Sequence, residues 1–195
     1  HRLGDHFEEP VLLIKTAWGG KSIYKDFRPP SAGGETGEYY HKMLAEVDEA
    51  LKNYQEEFPS LKGMKPKWGG FIWFQGWNDM FNQDALAQYE ENLVHLIKDL
   101  RAHLNQPNLP VVVGELGNMG EDAGTNMKLI REAQRKACQR KEWNGRVSFV
   151  KTTNFARPKE ESPNVGHGHH WFGNAESYFL IGDALGKEMV RLLKN

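Results

Sequence analysis

The sequence holds a single cysteine, Cys138, in 195 residues. An intrachain disulfide is thereby excluded, although the compartment is not fixed by this. Long apolar runs are missing too. The longest, Val11 to Ile14, is about four residues, against the ~20 that a spanning helix needs. Charge of one sign is not in excess: 25 Lys+Arg stand against 26 Asp+Glu, a net charge of -1. Such a balance leaves no electrostatic footprint for nucleic acid or an anionic membrane surface, so neither partner is expected. A phosphate loop is absent, because Trp18-Gly19-Gly20-Lys21-Ser22 is too short for the GxxxxGK(S/T) pattern. There is no G-x-S-x-G nucleophile elbow, no HExxH, no low-complexity tract and no internal repeat. The chain opens at His1 without an initiator Met or a signal peptide, which points to a processed start or to part of a longer polypeptide.

What is present is ordinary for a folded domain. Hydrophobic residues make up 39% and charged residues 26%, inside the globular range once the glycines are added. The length suits one domain that buries about 70% of its unfolded surface.

Short apolar runs alternate with amphipathic stretches. The runs are Val11–Ile14, Gly70–Phe74, Val111–Val113 and Arg146–Thr152. Helices are predicted over 39–58, around Leu86 to Leu104, over 122–143 and from an N-cap at Asn174 to about Leu193. Four strand–helix alternations imply an α/β fold: a three-layer α/β/α sandwich around a parallel, flavodoxin-like sheet. In such sheets the chemistry sits at the carboxyl ends of the strands. The Gly-rich and polar segments Trp18–Ser22, Gln75–Asp79, Gly114–Gly117 and the loop ending in His170 all fall there.

Gln75-Gly76-Trp77-Asn78-Asp79 is the most informative segment. An Asn side-chain N–H and a backbone N–H at a tight strand exit can both point at one oxyanion. The same residues also suit a plain turn. His167, His169 and His170 lie within four residues. A general base before a helix is the favoured reading, with metal ligation or an incidental surface loop as alternatives, and no metal or other cofactor is expected. Cys138 is read as a small buried hydrophobe, and the basic stretch Arg131–Lys141 as the solvated face of its helix. The loop aromatics Trp18, Tyr24, Phe27, Trp77, Trp171 and Phe172 could stack on sugar rings or fill the core.

These segments resemble the SGNH (GDSL-like) hydrolases. Gly76-Trp77-Asn78-Asp79 looks like the G-x-N-D block, and Trp73-Phe74-Gln75 is similar to the lead-in of the branch containing sialate O-acetylesterase and bacterial acetylxylan esterases. Val11–Lys15 with Thr16–Ser22 resembles the block whose Gly gives an oxyanion N–H. His170–Glu176, followed by Ile181-Gly182, resembles the stretch with the catalytic His. The resemblance implies a serine-type carbohydrate O-acyl esterase acting on an acetylated sugar. His170 would be the base, Gly20 and Asn78 the oxyanion donors, and Gln75, Trp18, Trp77 and Trp171 substrate contacts. It implies an extracellular or periplasmic setting. The alternatives are a non-catalytic carbohydrate-binding module or inactive esterase homologue, and a metal-dependent protein built on the histidines.

Two departures stand out. The strand and serine-bearing loop of the family's first block should precede Val11, where ten residues hold no Ser. The chain is therefore expected to be the C-terminal portion of a larger single domain, with another segment or chain supplying the Ser-bearing strand between the Val11 and Phe71 strands. In the last block the family often has Asp three residues before the His, and His167 stands there. Glu160, Glu161 or a backbone carbonyl would then orient His170, with His169 a rival base.

Overall fold

The computed structural model describes residues 1–194; Asn195 lies outside the described residues. Three strands form a parallel sheet in the order β1 (Phe71–Trp73), β2 (Val111–Gly114), β3 (Val147–Val150). Register pairs Phe71 with Val111 and Val111 with Val147. Four α-helices connect and cover them: α1 (Glu38–Glu57), α2 (Gln83–His103), α3 (Thr125–Cys138) and α4 (Ala175–Leu193).

Strand alternation sorts the core into two layers. Trp73, Val111, Val113 and Val147 face a large cluster with Tyr40 and Met43 of α1, Tyr89, Leu93, Leu96 and Ile97 of α2, and Ile130 of α3. Val112 points the other way, onto Ile181, Leu185, Met189 and Leu192 of α4. The central strand is covered on both faces, so Val111, Val112 and Val113 are each 0% exposed. Full burial of each is worth about 1.5–3 kcal/mol. Gly70, just before β1, is needed for this packing: a β-carbon there would lie 2.4 Å from Met189 Sδ.

The helices begin where the sequence signals them. Asn82 Oδ1 accepts from Ala85 N (2.9 Å), and Asn174 Oδ1 from Ser177 N (3.1 Å), satisfying donors that a helix start leaves free. The described residues contain no helix long and apolar enough to cross a membrane.

Two expectations are corrected. Val11–Ile14 is not a strand, and Val11, Leu12 and Leu13 are exposed. A strand needs a neighbour to take its backbone hydrogen bonds, and among the described residues the outer edge of β1 is unpaired. The helix expected over 122–143 is shorter, Thr125–Cys138, and a single 3-10 turn at Lys141–Trp143 follows it. The Trp143 indole N–H donates to the Ala137 carbonyl (2.6 Å). One of the carbonyls that a helix end leaves free is thereby satisfied, and the chain turns through Asn144 and Gly145, both at positive φ.

Candidate active site

The exit from β1 is a tight turn that only glycine fits. Gly76 is buried with φ +154°, and a β-carbon there would meet Ile130 Cγ2 at 2.9 Å and Tyr89 Oη at 3.3 Å. Two helices hold the turn from beneath. Tyr89 Oη–H and Gln134 Nε2–H both donate to the Gln75 carbonyl, at 2.7 and 2.9 Å. Gln134 Oε1 accepts from Leu116 N (2.9 Å), which ties the β1 exit to the β2 exit.

Asp79 is the clasp between two loops distant in sequence. It is 0% exposed. Its Oδ2 accepts from Ile23 N (3.1 Å) and Gln75 Nε2 (2.6 Å), and its Oδ1 from Tyr24 N (3.0 Å). Burial raises its pKa above the ordinary carboxylate value, outweighing these hydrogen bonds. Gln75 Nε2 also donates to the Lys21 carbonyl (2.9 Å). The Trp18–Tyr24 loop is thereby fixed over the 75–79 turn. Gly20, at φ +70°, and Asn78 become neighbours: a β-carbon on Gly20 would lie 3.8 Å from Asn78 Nδ2.

The histidine loop reaches the same place. The His169 ring centroid is 5.8 Å from that of Trp77, 4.3 Å from that of His170 and 5.2 Å from that of His167. His169 and His170 are exposed. Desolvation, together with the neighbouring imidazoles, lowers the pKa of His169. Asn118, beyond β2, donates from Nδ2 to the carbonyls of Gly168 (3.1 Å) and His169 (3.2 Å). Tyr178 Oη donates to the His170 carbonyl (2.9 Å). Of the carboxylates considered as partners for His170, Glu160 lies 3.8 Å from Lys159 Nζ, and both Glu160 and Glu161 are exposed. Among the described residues no set of three His, Cys, Asp or Glu side chains is arranged to hold a metal ion.

Gly20, Gln75, Trp77, Asn78 and the histidine loop thus converge at the carboxyl edge of the sheet. The aromatics divide. Trp18 is half-buried and packs edge-on against Tyr39 (5.2 Å), and Trp77 is half-buried beside Phe81 (6.1 Å). Phe27, Trp171 and Phe172, read from the sequence as loop aromatics, are buried. Trp171 stacks on Phe74 (6.3 Å, 28°) and joins the α4 core, so its ring serves packing.

Five of the six serines are held by hydrogen bonds of their own, Ser22 within the Trp18–Tyr24 loop of this edge. Ser22 Oγ donates to Asp26 (3.0 Å), Ser162 Oγ to the Pro158 carbonyl (2.9 Å) and Ser177 Oγ to the Phe155 carbonyl (2.6 Å). Ser148 bonds Glu188. Ser31 Oγ lies 2.7 Å from His95 Nδ1, but the surrounding N–H groups are spent: Ser31 N on Asp99, Ala32 N on Pro29 O and Gly33 N on Pro30 O. A nucleophile–base pair there has no oxyanion donors from its own turn.

Sequence reasoning missed three buried braces. Glu115 is 5% exposed, and its Oε2 accepts from Thr152 N, Thr153 N and Thr153 Oγ1 at 2.7–2.8 Å. The other two are Asn118 and Arg131. Arg131 corrects the reading of 131–141 as a solvated face, because it is 8% exposed and donates to the carbonyls of Leu116, Asn118 and Gly120. The partners of Asn118 and Arg131 are loop carbonyls, those of Glu115 are backbone N–H groups and a threonine hydroxyl, and no residue-type pattern announces either.

Polar loops gathered at the strand ends of a parallel α/β/α sandwich suit many chemistries, and the comparisons narrow them. Residues 3–191 match the family described as carbohydrate esterase, sialic acid-specific acetylesterase, and the chain belongs to it. That makes it a member of a family of ester hydrolases. A protein from Arabidopsis thaliana, solved by X-ray diffraction at 1.6 Å resolution, has a similar fold, with a TM-score of 0.60 and 21% sequence identity. The match covers 89% of this chain and 58% of that one, so the chain spans little more than half the length of its structural relative. No curated protein matches the sequence.

Proposed function

We propose that this chain supplies the general base and the oxyanion donors of a serine-type carbohydrate O-acetyl esterase. The observation that carries the reading is the juxtaposition of Gly20 with Asn78 beside the histidine loop. The nucleophilic serine attacks the acetyl carbonyl while His170 takes its proton. Gly20 N–H and Asn78 Nδ2–H hold the tetrahedral oxyanion. Collapse expels the sugar oxygen, which takes the proton from the imidazole, and water then releases acetate by the same steps. Contact with Trp77 favours His169 as a second candidate for the base. Trp18 and Trp77 offer half-buried rings for an acetylated, sialic-acid-like sugar in an extracellular or periplasmic setting.

The serine comes from a further segment, of the same polypeptide or another, whose strand pairs with the outer edge of β1. Ile72 and Phe74 on that edge are each 39% exposed. An unpaired strand edge beside apolar side chains is a template for another strand. At roughly 25 cal/mol per Å² of apolar surface, covering it is worth several kcal/mol.

The test is labelling with a serine-directed phosphonate and hydrolysis of p-nitrophenyl acetate. Both should occur in the polypeptide that includes the serine-bearing segment, and neither in this chain alone. Labelling of Ser22 in the isolated chain would place the nucleophile here instead. Sugar affinity without either reaction, in both forms, would establish the non-catalytic alternative.

A further inference from the structure

We propose that Asn118 and Arg131 are positioning residues that hold the histidine loop against the Trp77–Asn78 turn; the inference rests on the esterase reading above. Arg131 is a buried cation whose bonds to oxygen all go to the backbone of one loop. Nε donates to Leu116 O (2.7 Å), Nη2 to Asn118 O (2.8 Å) and Nη1 to Gly120 O (2.9 Å). Burying a charge is costly unless its donors are satisfied, and here the guanidinium meets three carbonyls in a fixed fork. The loop from β2 is thereby fixed to α3 at three points.

Asn118 carries that position across to the histidines. It is 2% exposed, and its amide donates to Gly168 O and His169 O. The receiving loop needs such a hold. Trp171 and Phe172 both lie at positive φ, 52° and 53°, where non-glycine residues are strained and persist only when their surroundings fix them. Burial of the Trp171 and Phe172 rings fixes one side of the loop. The imidazoles of His169 and His170 are exposed, so on their side the carbonyl contacts from Asn118 and from Tyr178 set the loop's place.

The test compares Asn118→Asp, which keeps the shape and loses both N–H donors, with Asn118→Ser, which keeps one hydroxyl donor. In the polypeptide with the serine-bearing segment, Asn118→Asp should lower kcat by about 100-fold with KM within about twofold, since a misplacement of roughly 1 Å costs that much. Asn118→Ser should fall between it and the parent. In this chain alone, the 15N imidazole signals of His169 and His170 should shift or broaden in Asn118→Asp while the Trp143 indole signal stays. Unchanged imidazole signals, or a loss of kcat no larger than the loss of folded protein, would overturn the proposal. If the parent shows no esterase activity, the esterase reading fails by itself, and the imidazole signals still decide whether Asn118 places the loop.

Discussion

Asn78 Nδ2 lies 3.8 Å from where a β-carbon on Gly20 would stand, although one residue follows β1 and the other belongs to a loop far upstream. The Asp79 carboxylate makes that neighbourhood, gripping Ile23 N and Tyr24 N from the Asn78 side. The Gly20 backbone and the Asn78 amide, from separate segments, are thereby neighbours, which a shared oxyanion site requires.

Asn78→Ala should lower kcat by about 10²–10³ with little change in KM, the usual loss for one oxyanion donor. Steady-state hydrolysis of an acetyl ester measures it. A change confined to KM would make Asn78 a substrate contact instead.

The two glycines of the site should separate stability from activity. Gly76→Ala forces a β-carbon to within 2.9 Å of Ile130 Cγ2 and should cost about 2–3 kcal/mol by urea unfolding. Gly20→Ala meets only the 3.8 Å contact with Asn78 and the penalty of its φ of +70°, so it should cost about 1 kcal/mol. Equal losses in the two variants would contradict the difference in packing.

Asp79 gives a pH dependence of known sign. Burial raises its folded pKa above the ordinary 3.8. The folded state therefore holds the proton more tightly than the unfolded state. Its contribution to stability is fully present below the unfolded pKa and is lost as pH rises through the folded pKa. Relative to Asp79→Asn, the parent should lose stability as pH is raised from about 3 toward 7. A parent that gains stability over that range would mean that the three hydrogen bonds outweigh burial.

Cys138 should be inert in the native protein. It is 6% exposed, and burial pushes its thiol up to about 12. Reaction with a disulfide reagent near pH 8 should be at least about a hundredfold slower than in denaturant, because the thiolate is the reacting form. Rapid native labelling would show that the face of α3 carrying Cys138 opens readily.

The sequence carried the helices well, because each advertises itself locally. The apolar period of 39–58 became α1 at Glu38–Glu57, and Asn174 became the cap of α4. Val11–Ile14 was misread because four apolar residues do not make a strand without a partner to pair with. The G-x-N-D turn was legible because Gly76 fills a place that a β-carbon would clash with and Asp79 takes the donors that hold the turn. Glu115, Asn118 and Arg131 were not, because their roles lie in contacts to backbone atoms of other loops. Charge pattern alone placed Arg131 in solvent, whereas three carbonyls keep it buried.

The most direct measurement is the structure of the phosphonate adduct of the polypeptide that includes the serine-bearing segment. The phosphoryl oxygen should lie about 2.7–3.1 Å from both Gly20 N and Asn78 Nδ2, the distance of an oxyanion donor, with His169 or His170 beside the modified serine. The serine-bearing strand should pair with the outer edge of β1. An adduct whose oxygen is held by other groups, or a serine remote from Gly20 and Asn78, would contradict the account.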